Sequence, residues 1–432
     1  MTQERGHGYS SIHGERMLYK APRGMQDILP EDQPYWAFIM QKAEEVCRLY
    51  GYERIDTPAF EDTALFLHSV GEGTDIVEKQ MYRLSEGELA LRPEGTAPVC
   101  RAYIEHGMHN LPQPVRLYYV GPIFRYERPQ KGRYRQHQQF GVEAIGESAP
   151  ALDAEVISLA CRLYEMLGLK ESRLLLNSIG CPMCRPGYLD DLRAYYSSRS
   201  EHLCPDCRRR LLRNPLRLLD CKQASCQRTI AEAPRLSEHL CTDCAAHFGT
   251  VKMHLTGLGI PFELDPHLVR GLDYYTRTVF EVQSGELGAQ SALGGGGRYD
   301  GLIEQLGGRP AAGIGFATGI ERIILGLKGQ GVSVPAPPAA TVYVAFMGEA
   351  ARERAVALAA DLRGAGVSTI LAMGDRSLKA QLKQANALGL PKAVILGEEE
   401  MEKGTVMLRD MARGEQEEMP IEKAVALLKT EV

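Results

Sequence analysis

The sequence predicts an α+β protein with an antiparallel sheet flanked by helices, a helical insertion and a C-terminal α/β domain. An apolar run, LYYVGPIF, and a later stretch, RQHQQFGVEAIG, are typical of two antiparallel strands joined by a long loop. A segment rich in cysteine and arginine, residues 181–251, separates two strand-rich blocks and predicts the insertion. After a Pro/Gly/Ala linker, residues 329–340, strands and helices alternate, which favours a small domain with a largely parallel sheet.

The elements before the insertion follow from periodicity and from proline and glycine. Residues 34–50 carry apolar side chains at helical spacing and predict an amphipathic helix. The stretch YERIDTPAF predicts a strand, and Pro58 within it favours a sheet edge, from which the strand could pair with a second subunit. Further helices are predicted near residues 97–107 and over residues 152–167, and SRLLLNSIG predicts the next strand.

Strand character returns after the insertion. It is present in LVRGLDYYTRTVFEVQ and in the glycine run SALGGGGRYDGL, and GIGFATGIERIILGL ends in a helix. The two blocks, residues 17–180 and 252–328, are therefore predicted to form one domain, and residues 341–432 a second. In that second domain the strands TVYVAFM, VSTILAM and KAVILG alternate with helices, one of them over residues 378–388. Residues 1–16 are polar and predict a disordered extension.

Composition restricts the class of protein. With 44% hydrophobic and 24% charged residues the chain is an ordinary globular protein, and no apolar run is long enough to span a bilayer. The net charge of −5 argues against general affinity for nucleic acid, so any RNA binding must depend on local patches. Eleven cysteines without an export signal indicate a reducing, cytoplasmic environment.

The loop of the predicted hairpin is dense in positive charge. Within eleven residues lie Arg125, Arg128, Lys131, Arg133 and Arg135, and only Glu127 opposes them. Like charges on neighbouring strands repel each other, so the cluster favours an anionic ligand. Arginine forms paired hydrogen bonds to phosphate, which makes a nucleotide or an RNA backbone the expected ligand. The alternative is a basic surface hairpin without a ligand.

The motifs exclude some classes and indicate one. The sequence contains no GxxxxGK[ST], GxGxxG, GxSxG or HExxH, which removes several nucleotide-binding and hydrolase classes. It does contain, in order, GYERIDTPAFE, FRYE within the hairpin, RGLDYYT, GGGGRYDG and GFATGIER. Over roughly residues 17–432 these stretches resemble the class II aminoacyl-tRNA synthetases, and specifically the histidyl-tRNA synthetase family. RGLDYYT and GGGGRYDG resemble the signatures that are specific to histidine.

The resemblance implies a fold and an activity. It implies the antiparallel catalytic sheet of class II synthetases, a C-terminal anticodon-binding domain and a homodimer. The implied reaction activates L-histidine with ATP, aided by Mg²⁺, and transfers histidine to the 3′ end of tRNA(His). An alternative is the non-catalytic, synthetase-like regulatory subunit of the first enzyme of histidine biosynthesis. Such paralogues tend to lose the C-terminal domain and erode RGLDYYT and RPEGT, and both motifs are intact here.

The resemblance also implies the residues that bind ATP. Arg125 would hold the α-phosphate and the histidine carboxylate, and Arg133 and Arg322 the other phosphates and the adenine. Glu127 would bind the adenine amino group or the metal. Arg270 would be the catalytic cation on the opposite face, where negative charge builds up on the α-phosphoryl group. The alternative for Arg270 is an ion pair with Asp273.

Further residues are implied for histidine and for tRNA. The α-amino group of histidine would contact Glu94, Thr96 and Gln139. The two ring nitrogens would contact Glu143 and Tyr275, with Tyr274 as a pocket wall; Glu143 and Tyr275 also oppose a different amino acid as substrate. Glycines 294–297 would let the backbone approach the ligand. Gln130 and Arg135 would lie near the acceptor end of the tRNA.

The cysteines of the insertion are predicted separately from their spacing. Cys181-x2-Cys184 and Cys204-x2-Cys207 are nineteen residues apart, within the spacing associated with structural zinc. A third pair, Cys241 and Cys244, with Cys221 and Cys226, could complete a second site. The family that the chain resembles does not require zinc here. The alternative is therefore a set of reduced, partly buried thiols.

Overall fold

The computed structural model describes residues 19–71, 74–84, 87–130, 132–170, 172–285, 292–335 and 341–430. These residues form two compact units that divide between Val334 and Pro335. The predicted N-terminal extension, residues 1–16, lies outside the described residues, as do Lys131 and residues 336–340 of the predicted linker.

The first unit is built on an eight-stranded, mainly antiparallel sheet. The described strands of the whole first unit are β1 (Glu53–Arg54), β2 (Phe60–Asp62), β3 (Leu89–Leu91), β4 (Val115–Phe124), β5 (Gln136–Ile145), β6 (Ser172–Ser178), β7 (Glu263–Leu264), β8 (Thr276–Ser284), β9 (Ala292–Arg298) and β10 (Gly313–Gly319). The order in the large sheet is β1-β4-β5-β10-β9-β8-β6-β7, and β2 pairs with β3 separately. Neighbours are antiparallel from β4 to β6, and only the two-residue edge strands pair in parallel. The predicted antiparallel sheet is confirmed.

Helices cover both faces of this sheet. They are α1 (Gln33–Leu49), α2 (Thr63–Val70), α3 (Thr96–Glu105), α4 (Pro150–Met166), α5 (Arg185–Ser197), α6 (Pro205–Arg213), α7 (Ala224–Ala231), α8 (Thr242–Gly257), α9 (Leu302–Gln305) and α10 (Ile320–Gly329). Along α4 the buried residues Leu152, Val156, Leu159 and Leu163 recur every three or four positions, so one stripe of the helix faces the sheet. Helices α1, α4, α8 and α10 share one hydrophobic core with that face. The opposite face carries the residues predicted for the site.

The insertion does not end where its composition changes. Helix α8 begins inside the predicted insertion but continues to Gly257, so the predicted boundary at residue 251 falls within a helix. His247 of α8 lies 2.8 Å from a carboxylate oxygen of Asp153, whose other oxygen accepts a 2.6 Å hydrogen bond from Arg298. This buried network fastens α8 to α4 and to the end of β9. Phe248, Val251 and Leu255 of α8 also lie in the core shared with α1 and α4, so α8 packs as part of the first unit.

The predicted strand over YERIDTPAF is wrong for most of its length. Only Glu53–Arg54 forms β1, and Phe60 begins β2 in the separate two-stranded sheet. The amide of Ile55 still donates to the carbonyl of Tyr118 at 2.8 Å before the chain leaves β4. Beyond it the chain is held by Arg92 instead, whose Nη1 donates to the carbonyls of Thr57 and Pro58 at 2.8 and 3.4 Å.

The second unit is a mixed α/β sheet. It consists of β11 (Val342–Phe346), α11 (Glu349–Gly364), β12 (Thr369–Leu371), α12 (Leu378–Ala387), β13 (Lys392–Leu396), α13 (Glu398–Lys403), β14 (Thr405–Asp410), β15 (Gln416–Pro420) and α14 (Ile421–Thr430). The first three strands are parallel as predicted, in the order β12-β11-β13. The antiparallel hairpin β14–β15 was not predicted. Among all described residues, no helix has both the length and the apolar character needed to cross a lipid bilayer.

Candidate active site

A cleft of about 620 Å³ opens on the face of the large sheet formed by β5, β8, β9 and β10. Part of its wall comes from the insertion, through residues that include Asp220, Lys222 and Gln227. Six of the residues predicted for ligand binding line it: Arg125, Glu127, Arg133, Gln139, Arg270 and Arg322. The structure therefore brings the predicted phosphate-binding cations, which are up to 197 residues apart in sequence, to one open site.

The register of the sheet explains how these side chains meet. Gln139 of β5 lies opposite Gly121 of β4 and Gly319 of β10. Glu143 lies opposite Gly315 in the same way. Residues directly opposite each other in an antiparallel pair point to the same face, so the polar side chains of β5 are flanked by glycines. Beside Gln139 the position above Gly319 is open, whereas the Arg92 guanidinium occupies the space above Gly121.

The glycines are also required by close protein contacts. A Cβ on Gly315 would lie 1.9 Å from a carboxylate oxygen of Glu143. In the run 294–297, a Cβ on Gly295 would lie 2.8 Å from Nη1 of Arg270, and one on Gly296 would lie 1.9 Å from the carbonyl oxygen of Gly315. We predicted these glycines for approach to a ligand. The atoms that demand glycine here are protein atoms, including the Arg270 guanidinium.

Arg270 is held by a carboxylate that the sequence motifs did not indicate. Its Nη1 donates to Glu281 at 2.7 Å. The alternative ion pair with Asp273 is not formed, because Asp273 accepts from Asn214 at 2.8 Å. Within the part of the chain that the structure describes, the buried Nε of Arg270 has no hydrogen-bond partner. The guanidinium thus keeps a donor that a ligand could use.

The remaining cations fix the hairpin loop against the sheet. Arg125 donates through Nε to the carbonyl of Pro93 at 2.7 Å, and Arg322 donates through Nε to the carbonyl of Gly132 at 3.1 Å. Arg133 and Glu127 form an ion pair at 3.3 Å. Desolvation, together with the charges of Arg125 and Arg322, lowers the pKa of His137 to about 3. These guanidinium groups line the cleft together with carboxylates such as Glu127 and Glu281, and guanidinium groups are suited to binding an anionic ligand.

Beneath the cleft lies a buried hydrogen-bonded cluster. Glu143 accepts from the Thr96 hydroxyl at 2.7 Å and from the Tyr299 hydroxyl at 2.6 Å. Burial raises the pKa of Glu143 to about 8, although those two hydrogen bonds oppose the shift. A buried acceptor of this kind selects a ligand that can donate to it and rejects one that cannot.

A second carboxylate and two tyrosines complete this cluster. Glu94 accepts from the backbone amides of Thr96 and Ala97 at 2.7 and 2.8 Å, at the start of α3. The Tyr274 hydroxyl donates to Glu94 at 3.3 Å, and the rings of Tyr274 and Tyr275 lie 4.8 Å apart. All five residues predicted for histidine here, Glu94, Thr96, Glu143, Tyr274 and Tyr275, are buried and adjacent to the cleft rather than in its open wall.

Comparison with known proteins agrees with this geometry. The sequence model described as Histidyl-tRNA synthetase matches residues 24–181 and 209–323, and the one described as Anticodon binding domain matches residues 341–431. The chain is 56% identical over 418 residues to a histidine–tRNA ligase of Dehalococcoides mccartyi, covering 96% of this chain and 100% of that protein. The chain belongs to the histidyl-tRNA synthetase family.

Solved structures show the same relationship for the fold. The apo histidyl-tRNA synthetase of S. aureus matches with a TM-score of 0.79 at 38% identity, covering 95% of this chain and 100% of that one. A Bacillus halodurans protein titled ATP phosphoribosyltransferase regulatory subunit/histidyl-tRNA synthetase matches with a TM-score of 0.63 at 24% identity, covering 89% of this chain and 99% of that one. At that identity the second match shows a shared fold alone.

Two residues of the site were missed from the sequence. Tyr299 lies within GGGGRYDG, but the tyrosine of that motif received no role, and it donates to Glu143. Glu281 is the acidic residue of strand β8, where it lies between the buried Phe280 and Val282, and it pairs with Arg270. The signal for Glu281 was its position in TRTVFEVQ, where a glutamate faces the site between buried neighbours.

The residues predicted for tRNA lie in the hairpin loop, Gln130 at its turn and Arg135 next to the start of β5. Gln130 exchanges backbone hydrogen bonds with Arg133 at 3.2 and 2.9 Å. Arg135 lies 3.7 Å above the ring of Tyr126, and its amide donates to the carbonyl of Gly24 at 2.7 Å. Neither side chain lines the cleft. Both residues are outside the group of arginines that line the cleft, and their role in contacting tRNA stays a prediction.

Proposed function

We propose that this chain is an active histidine–tRNA ligase, which forms histidyl-adenylate from L-histidine and ATP and then transfers histidine to the 3′ end of tRNA(His). The observation that carries the proposal is the juxtaposition of a cationic cleft with the buried cluster around Glu143. The first matches triphosphate and the second matches an imidazole. The full-length similarity to proteins named histidine–tRNA ligase supports the catalytic function over the regulatory alternative.

In the activation step the carboxylate of histidine attacks the α-phosphorus of ATP and pyrophosphate leaves. Negative charge increases on the α-phosphoryl oxygens, and fixed guanidinium groups stabilise it without reorganising. We assign Arg125 to the α-phosphate and the histidine carboxylate, and Arg270 to the same centre from the other side of the cleft. Arg133 and Arg322 hold the remaining phosphates and the adenine.

Mg²⁺ is proposed as the partner of ATP. This cation binds through phosphate oxygens and one or two carboxylates, and it offsets the charge of the phosphates. Glu127 lines the cleft beside Arg133, so its carboxylate fits the role of contacting either the metal or the adenine amino group. The ion pair with Arg133 keeps that carboxylate in place.

Histidine selection is assigned to the buried cluster and to Gln139. The Oε1 atom of Gln139 is buried and, among the described residues, has no hydrogen-bond partner, which fits an acceptor for the α-ammonium group. Glu94 and Thr96 lie next to this position as further groups for the ammonium. Glu143 and Tyr275 are assigned to the two ring nitrogens, and Tyr274 forms the wall.

The second unit and the hairpin loop are assigned to tRNA. The match to an anticodon-binding domain supports contact between residues 341–431 and the anticodon. Gln130 and Arg135 are assigned to the acceptor end, where contacts to phosphate position the strand. We also propose a cytoplasmic location, because none of the eleven cysteines forms a disulfide, as expected in a reducing compartment.

The decisive assay is charging of tRNA with labelled histidine. We expect the purified chain to charge histidine, and pyrophosphate exchange with histidine to exceed exchange with other amino acids by about 10⁴-fold in kcat/KM, because competitors leave buried polar groups unpaired. A well-folded protein that binds histidine but neither exchanges pyrophosphate nor charges tRNA would support the regulatory-subunit alternative. Equal exchange with another amino acid would refute the assignment of Glu143 and Tyr275.

A homodimer is proposed through the region around Pro58. Phe60 of β2 and Leu89 of β3 are 48% and 46% exposed in adjoining strands, which leaves an apolar surface. We expect light scattering to give twice the chain mass of 47.7 kDa, and Phe60→Asp to shift the protein toward the monomer. Leu264→Asp, at the far edge of the sheet, is the control and should stay dimeric. A monomeric wild-type protein with full activity would contradict this interface.

A further inference from the structure

Eight of the eleven cysteines form two separate clusters in the insertion. One consists of Cys181, Cys184, Cys241 and Cys244, and the other of Cys204, Cys207, Cys221 and Cys226. Within each cluster all four sulfur atoms lie within 4.8 Å of one another. The spacing in the sequence had joined the first two pairs into one site, which is wrong. The start of α8 returns to the beginning of the insertion and brings Cys241 and Cys244 to Cys181 and Cys184.

The sulfur separations fit four thiolates around one ion. Three of them are 3.7 Å for Cys181–Cys184, 4.0 Å for Cys181–Cys241 and 3.9 Å for Cys204–Cys221, and all lie within 4.8 Å. A tetrahedral zinc ion with Zn–S bonds of about 2.3 Å places its sulfur atoms about 3.8 Å apart. A disulfide would require about 2.05 Å. A multi-iron cluster would lie between the sulfur atoms and hold them further apart.

Backbone amides point at the sulfur atoms in both clusters. The amide of Cys241 donates to the sulfur of Cys184 at 3.1 Å, and the amide of Cys204 donates to the sulfur of Cys226 at 3.2 Å. The amide of Gln223 donates to Cys221 at 3.5 Å. Donors of this kind stabilise the thiolate form and orient metal ligands, as the groups around bound metals do. This is an observation independent of the clustering, and it indicates a cation partner.

We propose that each cluster binds one structural Zn²⁺ ion, giving two ions per chain. Zinc with four thiolate ligands is a closed site with no position for substrate, so neither ion takes part in the chemistry. The outer cluster (Cys181, Cys184, Cys241 and Cys244) joins the start of the insertion, just after β6, to the first turn of α8. The inner cluster (Cys204, Cys207, Cys221 and Cys226) joins the start of α6 to the segment that leads into α7. The proposal is independent of the proposed function.

The inner site bears on the cleft. Asp220 and Lys222 flank Cys221 in sequence, Gln227 follows Cys226, and all three line the cleft. A metal ion at the inner cluster therefore fixes the wall that the insertion contributes. Loss of the inner ion should loosen this wall and raise the KM for ATP or histidine. Loss of the outer ion should release the whole insertion.

The test is the zinc content of the full-length protein after growth with zinc and removal of loosely bound metal. We expect two equivalents for the wild type, and one for each of two double variants, Cys181→Ser/Cys241→Ser and Cys204→Ser/Cys226→Ser. Cys161→Ser, at a half-buried cysteine of α4 outside both clusters, is the control and should keep two. Zinc-free wild-type protein, or a double variant that retains both equivalents, would overturn the proposal.

A second measurement needs no variant and therefore does not depend on folding of the mutants. In the native wild type, the eight clustered cysteines should resist alkylation, as should the buried Cys47 and Cys100, and a chelator alone should expose the clustered eight. Protein reloaded with Co²⁺ should show the absorption of tetrahedral cobalt thiolate, reaching a plateau at two equivalents. Protection removed by a reductant instead of a chelator would mean disulfides, and bound iron in place of zinc would mean a different site. Either result would overturn the assignment.

Discussion

Replacing Arg270 with histidine is expected to lower histidine-dependent pyrophosphate exchange by about 10³-fold, because one donor to developing transition-state charge is worth about 10² to 10³ in rate. Arg270 lines the cleft, is held by Glu281 at 2.7 Å and retains an unpaired Nε. An imidazole is shorter and mostly uncharged at the pH of the assay, so it would not replace the cation. The loss should appear in kcat, since the charge is greatest in the transition state.

The control for this variant is Arg173→His. Arg173 is an exposed arginine of β6 that pairs with Glu263, and it does not line the cleft. Its replacement should leave exchange within about twofold of the wild type, as surface ion pairs contribute little. The melting temperature of Arg270→His shows whether the fold is intact. Near-normal exchange by a folded Arg270→His protein would remove Arg270 from the chemistry.

Most of the site was predictable because its parts lie in contiguous motifs. Arg125, Glu127 and Gln139 belong to one hairpin, and the pattern of strands alone places Arg125 and Glu127 just after one strand and Gln139 on its neighbour. What the sequence could not supply is the register between distant strands. Glu143 lies opposite Gly315 only because β10 pairs with β5, and Tyr299 reaches Glu143 only because β9 lies beside β10. No local pattern specifies such pairings.

The errors in the fold have the same origin. The cysteine pairs were joined by their distance along the chain, but α8 is fastened to α4 through His247 and Asp153, and this contact determines which cysteines meet. The hairpin β14–β15 was missed because its second strand, QEEMP, is almost entirely polar and exposed. Its pairing with β14 stabilises a strand that has little intrinsic preference for that state.

Replacing Glu143 with glutamine is expected to raise the KM for histidine by about 10²-fold, since bound histidine would hold Glu143 as the carboxylate and a hydrogen bond to a charged group is worth about 1.5–3 kcal/mol. Glutamine has the same shape as glutamate, so the contacts with Thr96 and Tyr299 can persist. In one of them the amide nitrogen of glutamine would donate to the hydroxyl oxygen, whereas both hydroxyls donate to Glu143 in the wild type. The KM for ATP should change little, because Glu143 is buried beneath the cleft rather than among the cations. Steady-state exchange with each substrate varied in turn measures both constants.

The control is Glu155→Gln. Glu155 lies on α4 and pairs with Arg116 at 2.9 Å, away from the cleft, so its replacement should leave both KM values unchanged. An equal rise in the KM for ATP and for histidine in Glu143→Gln would indicate a general structural defect. An unchanged KM for histidine would show that another group reads the imidazole.

The same variant is expected to change how stability depends on pH. Burial raises the pKa of Glu143 from 4.5 to about 8 in the folded protein. Between these values the folded state holds a proton that the unfolded state has released, so the stability from this carboxyl falls as pH rises from about 4.5 to about 8. Glutamine cannot ionise, so the variant does not lose stability in this way. The melting temperature of Glu143→Gln, measured relative to that of the wild type, should therefore rise between pH 5.5 and pH 8 by the amount that the ionisation of one group contributes. A difference that is constant with pH would mean that Glu143 is already ionised in the fold, and histidine would then meet a preformed carboxylate.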